Sequence, residues 1–473
     1  MRHVTSTFLL GMAAIGASLL TGCPDREISK VNPEQGRVEF KDIPVTVNRN
    51  VDILFVIDNS GSMADKQANL AANFPNFINV LNTIQGGLPD VHIGVVNSDM
   101  GVDSTNDAPA SAISGCSGAG SNGDLQTSGA TITGKFISDI KQSDGTRSKN
   151  YTGDLATVFG QMAKVGAGGC GFEQHLEAMK RALNNNPVNA GFLRQEAFLA
   201  VIFIADEDDC SASSAQMFGP DSPSLGPLQS FRCTRFGVKC DTGGSTPDQM
   251  NNVGTKDQCY SREDSQLLEK VQNYVTFLKG LKPDDPKKVI VAGIMGVPEP
   301  VQVALETPLG STTASEALQP SCTYNGASGV EKGWPAVRLK YFLDQFPERS
   351  TFTTICQQNL SDGLILIAQL LKTAIGDPCI EGDLADVDPN TPGDQYDCSV
   401  SDVSNYGKPN QTEKILPQCN ASNSNTPCWR ITEDPVNCAP TATKPHSFVL
   451  KIERTETPPP DTHVIANCVT EAN

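Results

Sequence analysis

Apolar residues along this chain arrive in short, dense runs that end in polar or acidic positions, with helically spaced stretches between them. Residues 51–58 (VDILFVID), 91–99 (VHIGVVNSD), 197–205 (AFLAVIFIA) and 287–296 (KKVIVAGIMG) read as strands. They are near-continuous and β-branched, as strands buried inside a parallel sheet must be. Leu70, Phe74, Phe77, Ile78 and Leu81 fall on one helical face, which Gly86, Gly87 and Pro89 bring to an end; Leu155, Val158, Phe159 and Met162 repeat that spacing. Further helices are predicted over 172–183 (Leu176, Met179 and Leu183 on one face), 264–281, 335–346 and 361–375, with a short strand over 350–355. Strand alternating with helix defines an α/β fold, a doubly wound, mainly parallel sheet, here over 48–376. Long insertions interrupt it at 101–150, at 211–257 and around Cys322. Val38, Phe40, Ile43, Val45 and Val47 alternate and suggest one leading strand within a tether and lead-in over 23–47. Beyond 376 the apolar content shrinks to short strands at 447–452 and 462–469, as expected of a small C-terminal β-rich, cysteine-rich module over 377–473.

Residues 1–22 combine Arg2 and His3, an apolar run over 8–20 and a small-residue ending, which makes a secretory signal too short to span a membrane stably. Its Leu20-Thr21-Gly22-Cys23 ending resembles the bacterial lipobox, so Cys23 is expected to be lipidated and to become the first mature residue. That assignment absorbs the odd member of fifteen cysteines. Cys116, Cys170, Cys210, Cys233, Cys240, Cys259, Cys322, Cys356, Cys379, Cys398, Cys419, Cys428, Cys438 and Cys468 remain, an even set suited to disulfides in an exported protein. The tightest pair, Cys233 and Cys240, is already too far apart for a zinc knuckle. No other apolar stretch approaches the roughly 18 residues of a spanning helix. The expectation is an exported protein, lipid-anchored in the bacterial cell envelope, at the outer membrane on its periplasmic or surface side.

Composition narrows the partners. Hydrophobic residues at 38%, charged residues at 19%, 41 Gly and 31 Pro describe a loop-rich globular chain and exclude a disordered or coiled-coil one. A formal net charge of -18 repels polyanions, so no nucleic acid is expected, and the membrane is met by the lipid anchor only.

The chemistry lies where strands end. In an open α/β sheet, ligands bind beyond the carboxyl ends of the strands. There the first strand offers Asp58-x-Ser60-x-Ser62, with Gly61 allowing close approach, and the third offers Asp206. Oxygen donors without His or Cys suit a hard divalent cation, Mg first, with Mn or Ca as alternatives. The stretch VDILFVIDNSGSM, followed by an amphipathic helix and a later strand ending in Asp, resembles the von Willebrand factor A (VWA) domain and its metal-ion-dependent adhesion site (MIDAS). The resemblance implies that Ser60 and Ser62 bind the metal directly, that Asp58 and Asp206 act largely through water, and that an acidic group of a protein ligand fills the open position. The chain as a whole looks like cysteine-rich bacterial VWA lipoproteins. One ligand departs from the pattern: the family's threonine falls at Cys170 or Gly171, so a carbonyl, a water or Glu173 has to substitute. Asp99 and Asp208 add carboxylates to the rim; Asp99 is expected in an outer or surface role, and Glu207, Asp208 and Asp209 in a solvated loop. Cys116 and Cys170 flank loops at the rim and are expected to pair, and Cys210 to staple the third loop, although connectivity is not readable from sequence.

Competing motifs fail on chemistry. Residues 129–135 (GATITGK) have Walker spacing, but Phe136 stands where the magnesium-binding hydroxyl is required, so no nucleotide is expected. Asp386, Asp388, Asn390 and Asp397 hint at a calcium loop, but Thr391 replaces its glycine. His175 lies beside Glu173, yet neither a Gly-x-Ser-x-Gly elbow nor a His-Glu-x-x-His helix is present, so an enzyme is not expected. The sequence therefore points to adhesion or envelope assembly through a bound cation. A scaffold whose metal only stabilises loops is the alternative, and a metal-dependent enzyme a remote one.

Overall fold

The computed structural model describes residues 36–471 except 45–48, 85–86, 104, 106–115, 117, 143, 284, 308–311, 328, 377–378, 381, 387–394, 420–425, 436–437, 439–445, 457 and 460–461. The signal segment, Cys23 and most of the weak calcium loop lie outside the described residues.

The chain opens with β1 (Gly36–Pro44), then β2 (Asn50–Ile57), α1 (Ala64–Asn82), β3 (Asp90–Asn97), β4 (Ile137–Lys141), β5 (Arg147–Lys149), α2 (Leu155–Met162), α3 (His175–Leu183) and β6 (Phe198–Ala205). It continues through α4 (Val271–Gly280), β7 (Val289–Met295), α5 (Val337–Asp344), β8 (Ser350–Thr354) and α6 (Ser361–Gly376). Seven strands form one sheet in the order β8-β7-β6-β2-β3-β4-β5. The first five run parallel, and β4 and β5 extend the edge antiparallel. The fold is thus mixed α/β on a mainly parallel sheet.

Alternation along β2 shows why both faces are apolar. Ile53 and Phe55 pack with α1, α2 and α6, while Leu54 and Val56 pack with α3, α4 and α5. Phe55, Phe74, Phe77 and Phe159 form an aromatic centre on the first side. A Cβ at Gly160 would lie 3.4 Å from the Ala71 side chain, so α2 packs closely against α1 at this point.

Three sequence expectations change. The helix expected over 264–281 begins only at Val271, because the Glu263 carboxylate caps the backbone N–H groups of Val271 and Gln272 and leaves Leu267 and Leu268 to pack in a separate cluster. The first insertion is not all loop: it supplies β4 and β5, where Asp139 takes the Arg147 guanidinium and the Tyr151 hydroxyl. The second and third insertions contribute strands Val238–Thr242, Gly254–Ser261, Val301–Glu306 and Ser315–Leu318, which pair as a small sheet of their own.

Past α6, β9 (Cys398–Ser404), β10 (Thr412–Leu416) and β11 (His463–Glu471) pair antiparallel in the order β1-β11-β9-β10. The leading strand therefore finds its partner at the far end of the chain, with Gly36 opposite Glu471. All fourteen expected cysteines are paired: Cys116–Cys170, Cys210–Cys233, Cys240–Cys259, Cys322–Cys356, Cys379–Cys438, Cys398–Cys468 and Cys419–Cys428. Seven disulfides mark a protein that matures in an oxidising, extracytoplasmic setting. Among the described residues no helix is long and apolar enough to cross a membrane.

Candidate metal centre

Neighbouring strands β2 and β6 end level with each other, Ile57 opposite Ile204, so the residues that follow them share one rim. The Asp58 N–H extends the pairing by donating to the Ile204 carbonyl at 2.9 Å. Its Oδ1 accepts from the Ser60 N–H at 2.7 Å, turning the chain so that the Ser60 and Ser62 hydroxyls lie 3.2 Å apart. A Cβ at Gly61 would meet open space, so its glycine answers no crowding within the chain and borders an open mouth.

The segment before α3 is clamped against this turn. Gln67 donates to the Asp58 and Gly166 carbonyls, the Gly169 N–H donates to the Asn59 carbonyl, and the Gln174 N–H to the Ser98 carbonyl. A Cβ at Gly169 would lie 2.4 Å from the Asn59 side chain, so a larger residue here would have to push Asn59 aside. The Cys116–Cys170 bridge ties the first insertion to the same segment, and the Cys210 N–H donates to the Glu173 carbonyl at 2.7 Å.

Four carboxylates converge behind the serines. Asp58, Glu173 and Asp206 are buried and Glu207 half-buried. Burial, then the negative charge of Asp206, pushes the Asp58 carboxyl well above its ordinary range. Burial followed by Glu207 and Asp58 does the same to Glu173, and burial followed by Asp206 lifts Glu207 to about 7. Asp58 Oδ2, Glu173 Oε1 and both Asp206 carboxylate oxygens are buried without a hydrogen-bond partner. His175, at the start of α3, stands 3.8 Å from Asp58 Oδ2 with both ring nitrogens unpartnered, and burial pulls it down to about 4, so the ring is neutral.

Inside this cluster sits one cation of the chain. Lys66 Nζ is 2.9 Å from Asp206 Oδ2, an ion pair outside hydrogen-bond alignment, and it donates to the Ser62 carbonyl and to Glu331 Oε2, both at 3.0 Å. Burial opposes its charge, but Asp206 and Glu331 more than offset that and hold it above its ordinary range.

The donor set fits a hard cation: two hydroxyls at the mouth and four carboxylates behind, three of them with orphaned buried oxygens that cost free energy as they stand. No trio among these carboxylates has its oxygens within 4.8 Å of one another, so they do not form a closed ligand set by themselves. The one group that does close among the described residues, Cys419, Cys428 and Glu453, contains a disulfide and so has no thiolates to offer.

Other expected site residues fall elsewhere. The Cys170 sulfur is locked in its disulfide and cannot ligate as a thiolate, and Gly171 is exposed. Asp99 turns into its own loop and accepts from the Gly101 N–H. The solvated-loop expectation for the acidic run is wrong: Asp208 caps α5 through the Arg338 and Leu339 N–H groups, and Asp209 caps α3 through the Leu176 N–H and pairs with buried Arg338. Asp208 is thus spent on a helix end and not on the cluster, and burial lifts it to about 6 despite those bonds. Lys66, Glu207 and Glu331 carried no sequence signal of a site.

A cluster held above its unfolded pKa takes up protons on folding, so its contribution to stability falls as pH rises through about 7 for Glu207. His92 and His175, pulled down from 6.5, act in the opposite sense mostly below that value and fade within about a pH unit above it. Lys282, pulled down to about 8, opposes it only from near that pH upward. Chelated protein should therefore melt higher near pH 6.5 than near about pH 7.5 in scanning calorimetry, and an equal or reversed order would contradict the cluster.

No protein family matches the sequence, and no curated protein matches it. Among solved structures, the pilus adhesin RrgA of Streptococcus pneumoniae aligns over 93% of this chain at 12% identity and TM-score 0.27. This chain spans 58% of that adhesin's length. The manganese-loaded TRAP protein of Plasmodium vivax aligns over 90% of this chain and 100% of its own, at 8% identity and TM-score 0.26. Similarity at that level decides neither fold nor site.

Proposed function

We propose that residues 48–376 form a doubly wound VWA domain and that Asp58, Ser60, Ser62 and Asp206 hold a divalent cation, magnesium first, through which the protein captures an acidic group on a protein partner. The observation that carries this reading is the pairing of adjacent serine hydroxyls at an open turn with buried, unpartnered oxygens of Asp58, Glu173 and Asp206 behind them. Ser60 and Ser62 face the cation, the carboxylates orient its water and balance its charge, and Glu173 stands in for the family's threonine. When bound, the cation supplies an open coordination position for the partner's carboxylate. The process is coordination and not turnover. With Cys23 lipidated after removal of residues 1–22, the protein works at the cell envelope in adhesion or assembly.

A soluble form lacking residues 1–23, which removes none of the described residues, should recover the same partner from envelope extract only with cation present, and the Asp58→Ala variant should recover none. Recovery that is indifferent to chelator would sink the reading. Loss of melting temperature on chelation with capture intact would instead identify a scaffold.

A further inference from the structure

The lysine within the carboxylate cluster sets how this site responds to metal. Lys66 is 1% exposed, and its ammonium lies within 3.0 Å of three oxygens from three separate segments: it donates to Ser62 on its own turn and to Glu331 on the hairpin formed by Cys322–Gly326 and Gly329–Gly333, and it pairs by charge with Asp206 at the end of β6. The hairpin is rooted at the same place, since the Trp334 N–H that follows it donates to the Asp206 carbonyl at 2.7 Å and Cys322 is bridged to Cys356 just past β8.

We propose that Lys66 is a tethered cation that holds Asp206 when no metal is bound and gives it up when a divalent cation arrives, with Glu331 as the anchor that keeps it in place. This rests on the cation-binding reading above. An ammonium in contact with Asp206 repels a divalent ion that draws on the same carboxylate, so cation binding has to displace the lysine or bear the repulsion. Asp206, the deeper and less exposed partner, is the one contested; Glu331, at 16% exposure, stays available to the displaced lysine. The site therefore stays assembled without metal, and its affinity is set below what the carboxylates alone would give.

The test uses the full chain in detergent, stripped with chelator, with Mn²⁺ and Mg²⁺ as probes. In calorimetric titration Lys66→Met should bind Mn²⁺ about tenfold more tightly than wild type, or better, the direction that loss of a nearby like charge dictates. Because that variant removes a buried anchor, the unaltered protein supplies a second readout: amine acetylation followed by mass spectrometry should find Lys66 protected after chelation and at least about threefold more reactive at saturating cation. Equal or weaker binding by Lys66→Met, or a Lys66 that stays protected while calorimetry shows the cation bound, overturns the inference and leaves the metal site standing. Absence of binding by both proteins overturns the metal site itself.

Discussion

Replacing Arg338 by methionine should cost about 3–5 kcal/mol of stability, the expected loss when one partner of a buried ion pair is removed. The guanidinium is fully buried and donates to Asp209 Oδ2, to the Ser261 hydroxyl and to the Glu269 carbonyl. Without it, Asp209 keeps the Leu176 and Ser211 donors but loses its ion-pair partner in a region closed to water. The double variant Arg338→Met with Asp209→Asn should recover at least about half of that loss, since it removes the stranded charge as well. Thermal melting of the single and double variants checks both; a single variant melting with wild type would show that the pair contributes nothing. Because Asp209 caps α3, whose first residue is His175 beside Asp58, the single variant should also weaken cation binding.

Replacing Asp58 by asparagine should move two measurements in opposite directions. Affinity for the cation should fall about 10- to 100-fold, the usual result of losing a group that orients a metal's shell. Chelated protein should nevertheless become more stable by about 1 kcal/mol, as often follows when a residue held in an unfavourable state for function is relaxed. The reason lies in the cluster: burial and Asp206 push the Asp58 carboxyl up, so in the metal-free fold its charge is a liability. The amide of the substituted side chain keeps an oxygen for the Ser60 N–H that Asp58 now accepts. Were Asp58 merely capping a turn, the amide oxygen would keep the cap, melting temperature would change little and calorimetry with Mg²⁺ or Mn²⁺ would be unchanged.

How much of this could be read from the sequence follows burial. Strands β2, β3, β6 and β7 announce themselves because a strand covered on both faces has no polar side to show, and β2 and β6 are buried along almost their whole length. Strand β5 at the sheet's edge and β4 beside it are short and partly exposed, and their sequences (ISDIK for β4, RSK for β5) read as loop. The Asp-x-Ser-x-Ser turn and Asp206 were legible for a related reason: both follow directly from strong strands, so their position on the rim follows from the pattern. The acidic run after β6 was misread because what buries Asp208 and Asp209 is the backbone N–H groups of two distant helices, α5 and α3, and no local pattern shows where helix ends converge. Lys66 was invisible for a simpler reason, since a lysine in the first turns of an amphipathic helix is normally solvated.

The pairing of β1 with β11 has a consequence in time. These strands lie near opposite ends of the chain, as Gly36 opposite Glu471 attests. A chain that emerges amino end first exposes β1 long before its partner exists, and the sheet can close only when His463–Glu471 has been delivered. Until then β1 is an unpaired edge open to other chains, so β11 acts as the latch on β1.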